Sequence, residues 1–113
     1  MIYLAAPYND PCPVVIQQRM EKVYRTMADY MKHGEHVISP LFMHEVAIRH
    51  NLPQDYQYWE KYCINILSQL DEHDKLVVLM LDGWDKSTGV ASEIKFAKWR
   101  GMIIEYINYL DVS

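Results

Sequence analysis

The amino-acid sequence predicts an α/β protein, a three-layer sandwich built around a small parallel sheet. Three observations predict it. Short apolar runs, too short for helices, alternate with segments whose apolar residues recur at steps of four and three. Glycine or proline stands at most of the joints between them. The chain has 113 residues, 50% of them apolar, which is enough to fill one core without disulfides or metals. A single domain over residues 1–113 is therefore expected.

The first element is the apolar run Ile2-Tyr3-Leu4-Ala5-Ala6, a buried strand that stops at Pro7 because proline has no N–H to give a ladder. Ile16, Met20, Val23, Met27 and Tyr30 then mark an amphipathic helix, with Lys32 and His33 in its last turn and Gly34 as its stop. His36 to Ser39 reads as a second short strand before Pro40. Leu41 to Tyr56 reads as an irregular connection, with a helical turn at His44 to Arg49. Trp59, Cys63, Ile66 and Leu70 repeat the helical stepping. Lys75 to Leu81 is a continuous apolar strand, the pattern of one covered on both faces. A polar loop, Asp82 to Gly89, leads to a third helix marked by Val90, Ile94 and Ala97 and closed by Gly101. Met102 to Ile107 supplies the last strand.

Strands alternating with helices at this spacing imply βαβ units with right-handed crossovers. The expected order is 2-1-3-4, that of flavodoxin-like, Rossmann-like sandwiches. This order sets the loops 7–11 and 82–89 across the switch point where ligands bind.

Composition excludes several function classes. The net charge is −4 and the eleven Lys and Arg residues are scattered, so nothing attracts a nucleic-acid polymer. Two cysteines, Cys12 and Cys63, without CxxC or Cys/His spacing, read as free thiols in a reducing compartment. The two histidines of His44-Glu45-Val46-Ala47-Ile48-Arg49-His50 stand six residues apart, about 240° around a helix at roughly 100° per residue, so they cannot share a zinc. No metal and no cofactor is expected. No charged N-terminal region precedes a long apolar stretch, and no apolar run approaches the roughly 20 residues that span a bilayer. A cytoplasmic protein without membrane contact is the expectation.

Glu93 is the sharpest chemical signal. It stands beside Val90, Ile94 and Ala97 on the helix side that faces the sheet, and Phe96 and Ala97 at i+3 and i+4 offer it no salt bridge. Near a helix N-terminus a carboxylate stays ionised and is placed to act as a nucleophile. On spacing alone the alternative, a Glu at the stripe's edge reaching water, stays open. The loop Asp82-Gly83-Trp84-Asp85-Lys86-Ser87-Thr88-Gly89 puts acids, an indole and hydroxyls before a helix N-terminus, a natural seat for anions and sugar hydroxyls. It has neither a Walker A motif nor GxGxxG. An ordinary turn with Ser87 or Thr88 as N-cap and Trp84 covering the core is the competing reading.

Ile2-Tyr3-Leu4-Ala5-Ala6-Pro7-Tyr8, the strand and loop Val77 to Trp84, and Ser87-Thr88-Gly89-Val90-Ala91-Ser92-Glu93 followed by Ala97 together resemble the nucleoside 2-deoxyribosyltransferase superfamily. The closest likeness is to its small bacterial and phage branch with a GW-x-x-S-x-G-x-x-x-E loop. The resemblance implies that Glu93 attacks the anomeric carbon of a nucleoside or nucleotide and that Tyr3 positions it. Ser87 matches the residue that in nucleoside 5′-monophosphate hydrolases replaces the aspartate of nucleoside transferases. A hydroxyl at a helix N-terminus donates to a phosphate that a carboxylate would repel. Two departures stand out. The superfamily's base-contacting aspartate falls on Ile66, with Asn65 beside it, so the proton for the leaving base is unassigned. The arginine-bearing first loop of the monophosphate hydrolases is replaced by Tyr8-Asn9-Asp10-Pro11, leaving Arg19 as the nearest basic candidate.

The resemblance and the residues together imply cleavage or transfer at the N-glycosidic bond of a (deoxy)nucleoside 5′-monophosphate or nucleoside. Glu93 and Tyr3 are the catalytic pair. Ser87 and Gly89 sit at the phosphate end, Asp82 and Asp85 are candidates for sugar hydroxyls, and Trp84 or Tyr8 for stacking on the base. The aromatic group Tyr56, Tyr58, Trp59 and Tyr62 reads as a subunit interface, or with one member capping a base. In relatives a neighbouring subunit completes the site, so a homodimer or larger homo-oligomer is expected. The rival readings are a non-catalytic nucleotide-binding module, which Ile66 favours, and a partner-binding protein using the aromatic patch.

Overall fold

The structure, a computed structural model, describes residues 1–52 and 55–109, Phe42 by its backbone alone. Residues 53–54, within the stretch predicted to be irregular, and 110–113, at the end of the predicted domain, lie outside the described residues. In chain order the elements are β1 (Ile2–Ala5), α1 (Pro13–Lys32), β2 (Val37–Ile38), α2 (Leu41–Arg49), α3 (Tyr56–Ser68), β3 (Lys75–Leu79), a 3-10 turn (Trp84–Lys86), α4 (Thr88–Arg100) and β4 (Ile103–Ile107). The sheet has the order β2-β1-β3-β4, and its pairings are all parallel. The α/β class and strand order predicted from the sequence are those observed.

The alternation of side chains along a strand divides the core into two layers. Tyr3 and Ala5 of β1, with Leu76 and Val78 of β3, meet Leu67 of α3 and Val90 and Ala97 of α4 on one face. Ile2 and Leu4, with Val77 and Leu79, meet Val23 of α1 and Leu41 of α2 on the other. Both central strands are thereby buried on each side, which is why they read as unbroken apolar runs.

Local chemistry sets the helix bounds. α1 starts three residues earlier than its apolar spacing suggests because Pro13 fits the first helical turn, where a missing N–H is no loss. Asp55 caps α3, its Oδ1 accepting from the Gln57 amide at 3.0 Å. α4 ends at Gly101, whose φ of 78° is one only glycine adopts without strain, and the Met102 amide closes the turn on the Ala97 carbonyl at 3.0 Å.

The largest departure from expectation is α2. The stretch read as irregular with one turn contains nine helical residues. Leu41, His44 and Ala47 fall one turn apart and are buried, while Val46 and Ile48 are apolar but exposed, so the apolar pattern is blurred although the helix is regular. β4, expected over Met102 to Ile107, is the edge strand opposite β2; its Ile103 is exposed and its Glu105 meets Lys75 Nζ at 3.1 Å. No described helix is long and apolar enough to cross a membrane.

Candidate active site

The alternation that puts Tyr3 on the α3–α4 face aims its phenol at Glu93, one turn and a half into α4. The Tyr3 hydroxyl donates to Glu93 Oε2. Tyr3 is fully buried and Glu93 is 6% exposed, so the reading of Glu93 as a stripe-edge residue reaching water does not hold. Desolvation pushes the Glu93 carboxyl up to about 7, against the pull of the Tyr3 hydrogen bond in the opposite direction. Burial thus works against the ionised form that the helix N-terminus was expected to favour. Burial and the Glu93 charge raise the Tyr3 phenol well above its ordinary range. Burial also pushes the Cys63 thiol, hydrogen-bonded to Tyr3, up to about 12. Cys63 is an inert thiol rather than a nucleophile.

Glu93 forms part of the wall of a cavity of about 440 Å³ at the carboxyl end of β1 and β3, the switch point of the sheet. Tyr8 and Asn9 after β1, Arg19 of α1, Ser87, Thr88 and Gly89 at the start of α4, His44 of α2, and Tyr56, Trp59, Glu60 and Cys63 of α3 line it. The His44 ring stacks on Tyr8 with centroids 3.9 Å apart and is tilted against Trp59 at 4.1 Å. Glu60 Oε2 accepts from the Tyr56 hydroxyl and from Ser92 Oγ, both at 2.8 Å, and these donors hold its carboxyl below the usual range. The two carboxyl groups of the cavity are thereby driven apart: Glu60 is a stable anion, and Glu93 titrates near pH 7.

Arg19 ties the two switch-point loops together. Its Nη1 donates to the carbonyls of Tyr8 (3.3 Å) and Asn9 (2.9 Å), and its Nη2 to the carbonyl of Asp82 (2.9 Å). Gly83 follows with φ 88°, an angle that favours glycine, and a Cβ there would crowd Arg19 Nη2 at 3.2 Å. Arg19→Ala removes three hydrogen bonds from a partly exposed site. It is expected to cost about 1–2 kcal/mol in urea unfolding and to speed amide exchange at residues 8–10 and 82–87 well above the helices. Unchanged exchange in those loops would rule out the tie.

Of the residues predicted to form the site, Glu93, Ser87, Gly89, Tyr8 and Arg19 line the cavity, and Tyr3 stands directly behind Glu93. Others lie elsewhere. Trp84 packs on Tyr106, with centroids 5.6 Å apart, and against the α3–α4 core, because the 3-10 turn points its ring towards β4. Asp85 is exposed on that turn, and Asp82 is exposed with its carbonyl held by Arg19. Asn65 is on the exposed side of α3, and Ile66 packs into the core. His44 and Glu60 join the lining without having been predicted there, and Tyr56 and Trp59 of the aromatic group line it too. A signal for Glu60 exists: Glu60, Cys63, Ile64 and Leu67 sit at i, i+3, i+4 and i+7, which places an acid on the inward stripe of α3 as Glu93 is on that of α4. Among the described residues no group of three His, Cys, Asp or Glu side chains is arranged to hold a metal ion.

No curated protein matches the chain. Residues 1–108 match the family described as "Domain of unknown function (DUF1937)", a span that takes in every described element and all the residues around the cavity, and the chain belongs to that family.

Proposed function

We propose that this protein cleaves or transfers the N-glycosidic bond of a (deoxy)nucleoside 5′-monophosphate or nucleoside, in the manner of nucleoside 2-deoxyribosyltransferases. The observation that carries the reading is the buried Glu93 carboxyl, hydrogen-bonded to Tyr3, on the wall of a cavity at the sheet's switch point. A carboxyl that titrates near 7 supplies an ionised fraction at neutral pH while remaining poorly solvated, and a poorly solvated carboxylate is the stronger nucleophile. Its oxygen forms a bond to C1′ as the C1′–N bond breaks, giving a glycosyl ester that water or a second base resolves. Thr88 and Gly89 open α4, so their amides point where a 5′-phosphate would lie beside Ser87. Chromatography of free base released from a panel of nucleotides and nucleosides tests the reading; no release from any of them removes it.

Ser87 discriminates the two substrate classes. Its Oγ accepts from the Val90 amide at 3.2 Å, a cap that aspartate makes equally well. Ser87→Asp is therefore expected to leave stability within about 0.5 kcal/mol. In the proposed site it sets a carboxylate against the phosphate, so kcat/KM should fall roughly 10-fold or more for 5′-monophosphates, like charges in a cleft opposing by 1.4 kcal/mol or so. Nucleosides should be spared, and an equal fall for both would remove the phosphate assignment.

A second reading, a nucleotide-binding module without turnover, is favoured by Ile66, which packs into the core where the resemblance places a base-contacting acid. Nucleotides that raise the melting temperature yet remain intact over hours would support it. The homo-oligomer belongs to the proposal as well, and sedimentation at micromolar concentration reads it directly; a monomer would remove it.

A further inference from the structure

We propose that His44 supplies the proton that the departing base requires, an inference that rests on the glycosidic reading above. If C1′ sits at Glu93 and the phosphate end at the start of α4, the base lies against the rest of the lining, which carries Tyr8, His44, Tyr56, Trp59, Glu60 and Cys63. One of these side chains is placed to supply the proton. Glu60 is a carboxylate stabilised by two hydroxyl donors and has no proton to give at neutral pH. The Tyr56 hydroxyl is one of those donors, a phenol such as that of Tyr8 is by nature a far weaker acid than an imidazolium, and the Cys63 thiol is pushed up to about 12. An indole N–H is not transferable. Lys86 is exposed at the α4 end of the cavity. That leaves the imidazole, the side chain whose ordinary titration falls nearest neutrality.

The surroundings suit the role. His44 is 7% exposed, with Tyr8 stacked on its ring and Trp59 tilted against it. The two contacts fix the plane of the ring, whose nitrogens lie on its edge. In the first step a Glu93 oxygen bonds to C1′, the C1′–N bond breaks with its electron pair going to the base nitrogen, and the imidazolium proton moves to that nitrogen. In the second, neutral His44 takes a proton from water as the water oxygen bonds to C1′ and the ester bond breaks, returning the Glu93 carboxylate and the imidazolium.

The test compares His44→Gln, His44→Phe and Glu60→Gln with the unmodified protein on the common 2′-deoxynucleoside 5′-monophosphates and on 7-methyl-2′-deoxyguanosine 5′-monophosphate. The methylated base leaves neutral without a proton. Loss of a general acid is expected to lower kcat about 10²- to 10⁴-fold on the ordinary nucleotides and less than about 10-fold on the methylated one. His44→Phe keeps an aromatic ring in the stack, so a fold-dependent loss from His44→Gln is told apart by its absence there. Equal losses on both kinds of substrate, no loss on either, or the leaving-group-dependent loss appearing in Glu60→Gln instead would each overturn the assignment while leaving the glycosidic reading in place. An unmodified protein that cleaves neither kind of substrate overturns both.

Discussion

Glu93→Gln is expected to stop base release and, at the same time, to make the protein more stable at pH 8. As the proposed nucleophile, Glu93 has no substitute in the cavity: Glu60 is held by Tyr56 and Ser92, and Cys63 is protonated. A loss of at least about 10³-fold in kcat follows. The stability change comes from the same burial. The carboxyl rises from 4.5 to about 7 on folding, so between those values the folded state binds more protons than the unfolded one, and stability falls as pH rises. At roughly 1.4 kcal/mol per pH unit the accumulated loss reaches about 3 kcal/mol by pH 7 and is constant above it. Glutamine is neutral and its amide oxygen still accepts from Tyr3. Glu93→Gln should therefore match the natural protein at pH 4 and exceed it by about 3 kcal/mol at pH 8, a melting-temperature gain on the order of 10 °C for a domain of this size. Urea melts across pH 4 to 8 read the effect, and parallel profiles for the two proteins would show that the carboxyl is not raised. The same titration places the acid limb of the base-release profile near pH 7, since the attacking form is the carboxylate.

The burial of Glu93 explains why this residue was visible in the sequence at all. A Glu between Val90 and Ala97 on an inward helix face works against the fold, and the conflict between pattern and residue marked it out. The rest of the framework was legible for the opposite reason: strand runs buried on both faces, helix stripes and Gly101 agree with the fold. What was not legible depends on contacts that spacing along the chain hides. His44 belongs to a helix whose apolar residues are split between buried Leu41 and Ala47 and exposed Val46 and Ile48, so the period was hidden and only a turn at His44 to Arg49 was read within an irregular stretch. Trp84 was placed in the site by its neighbours in the chain, but a 3-10 turn rotates it onto Tyr106. Arg19 looked like a phosphate ligand because only its charge is visible in sequence, whereas its guanidinium is engaged by three backbone carbonyls, and carbonyl positions are a property of the fold.

Tyr3→Phe should move stability in the direction opposite to Glu93→Gln, although both act on one hydrogen bond. Phenylalanine keeps the ring that fills the α3–α4 face of the sheet but removes the hydroxyl that donates to Glu93, leaving a buried carboxylate without that partner. A hydrogen bond to a charged group contributes about 1.5–3 kcal/mol, and one to a neutral group about 1 kcal/mol. The loss should accordingly be larger at pH 8, where the carboxyl is ionised, than at pH 4. Because the Tyr3 bond holds the carboxyl down, its removal lets the carboxyl climb further, and the acid limb of the base-release profile should shift upward by about one pH unit. A loss that is the same at both pH values, with the acid limb unmoved, would mean that the phenol serves packing alone. In the double variant the charge is absent, so the penalty of Tyr3→Phe should shrink to that of a neutral hydrogen bond; the difference between the two penalties at pH 8 isolates the part of the pair's energy that depends on the Glu93 charge.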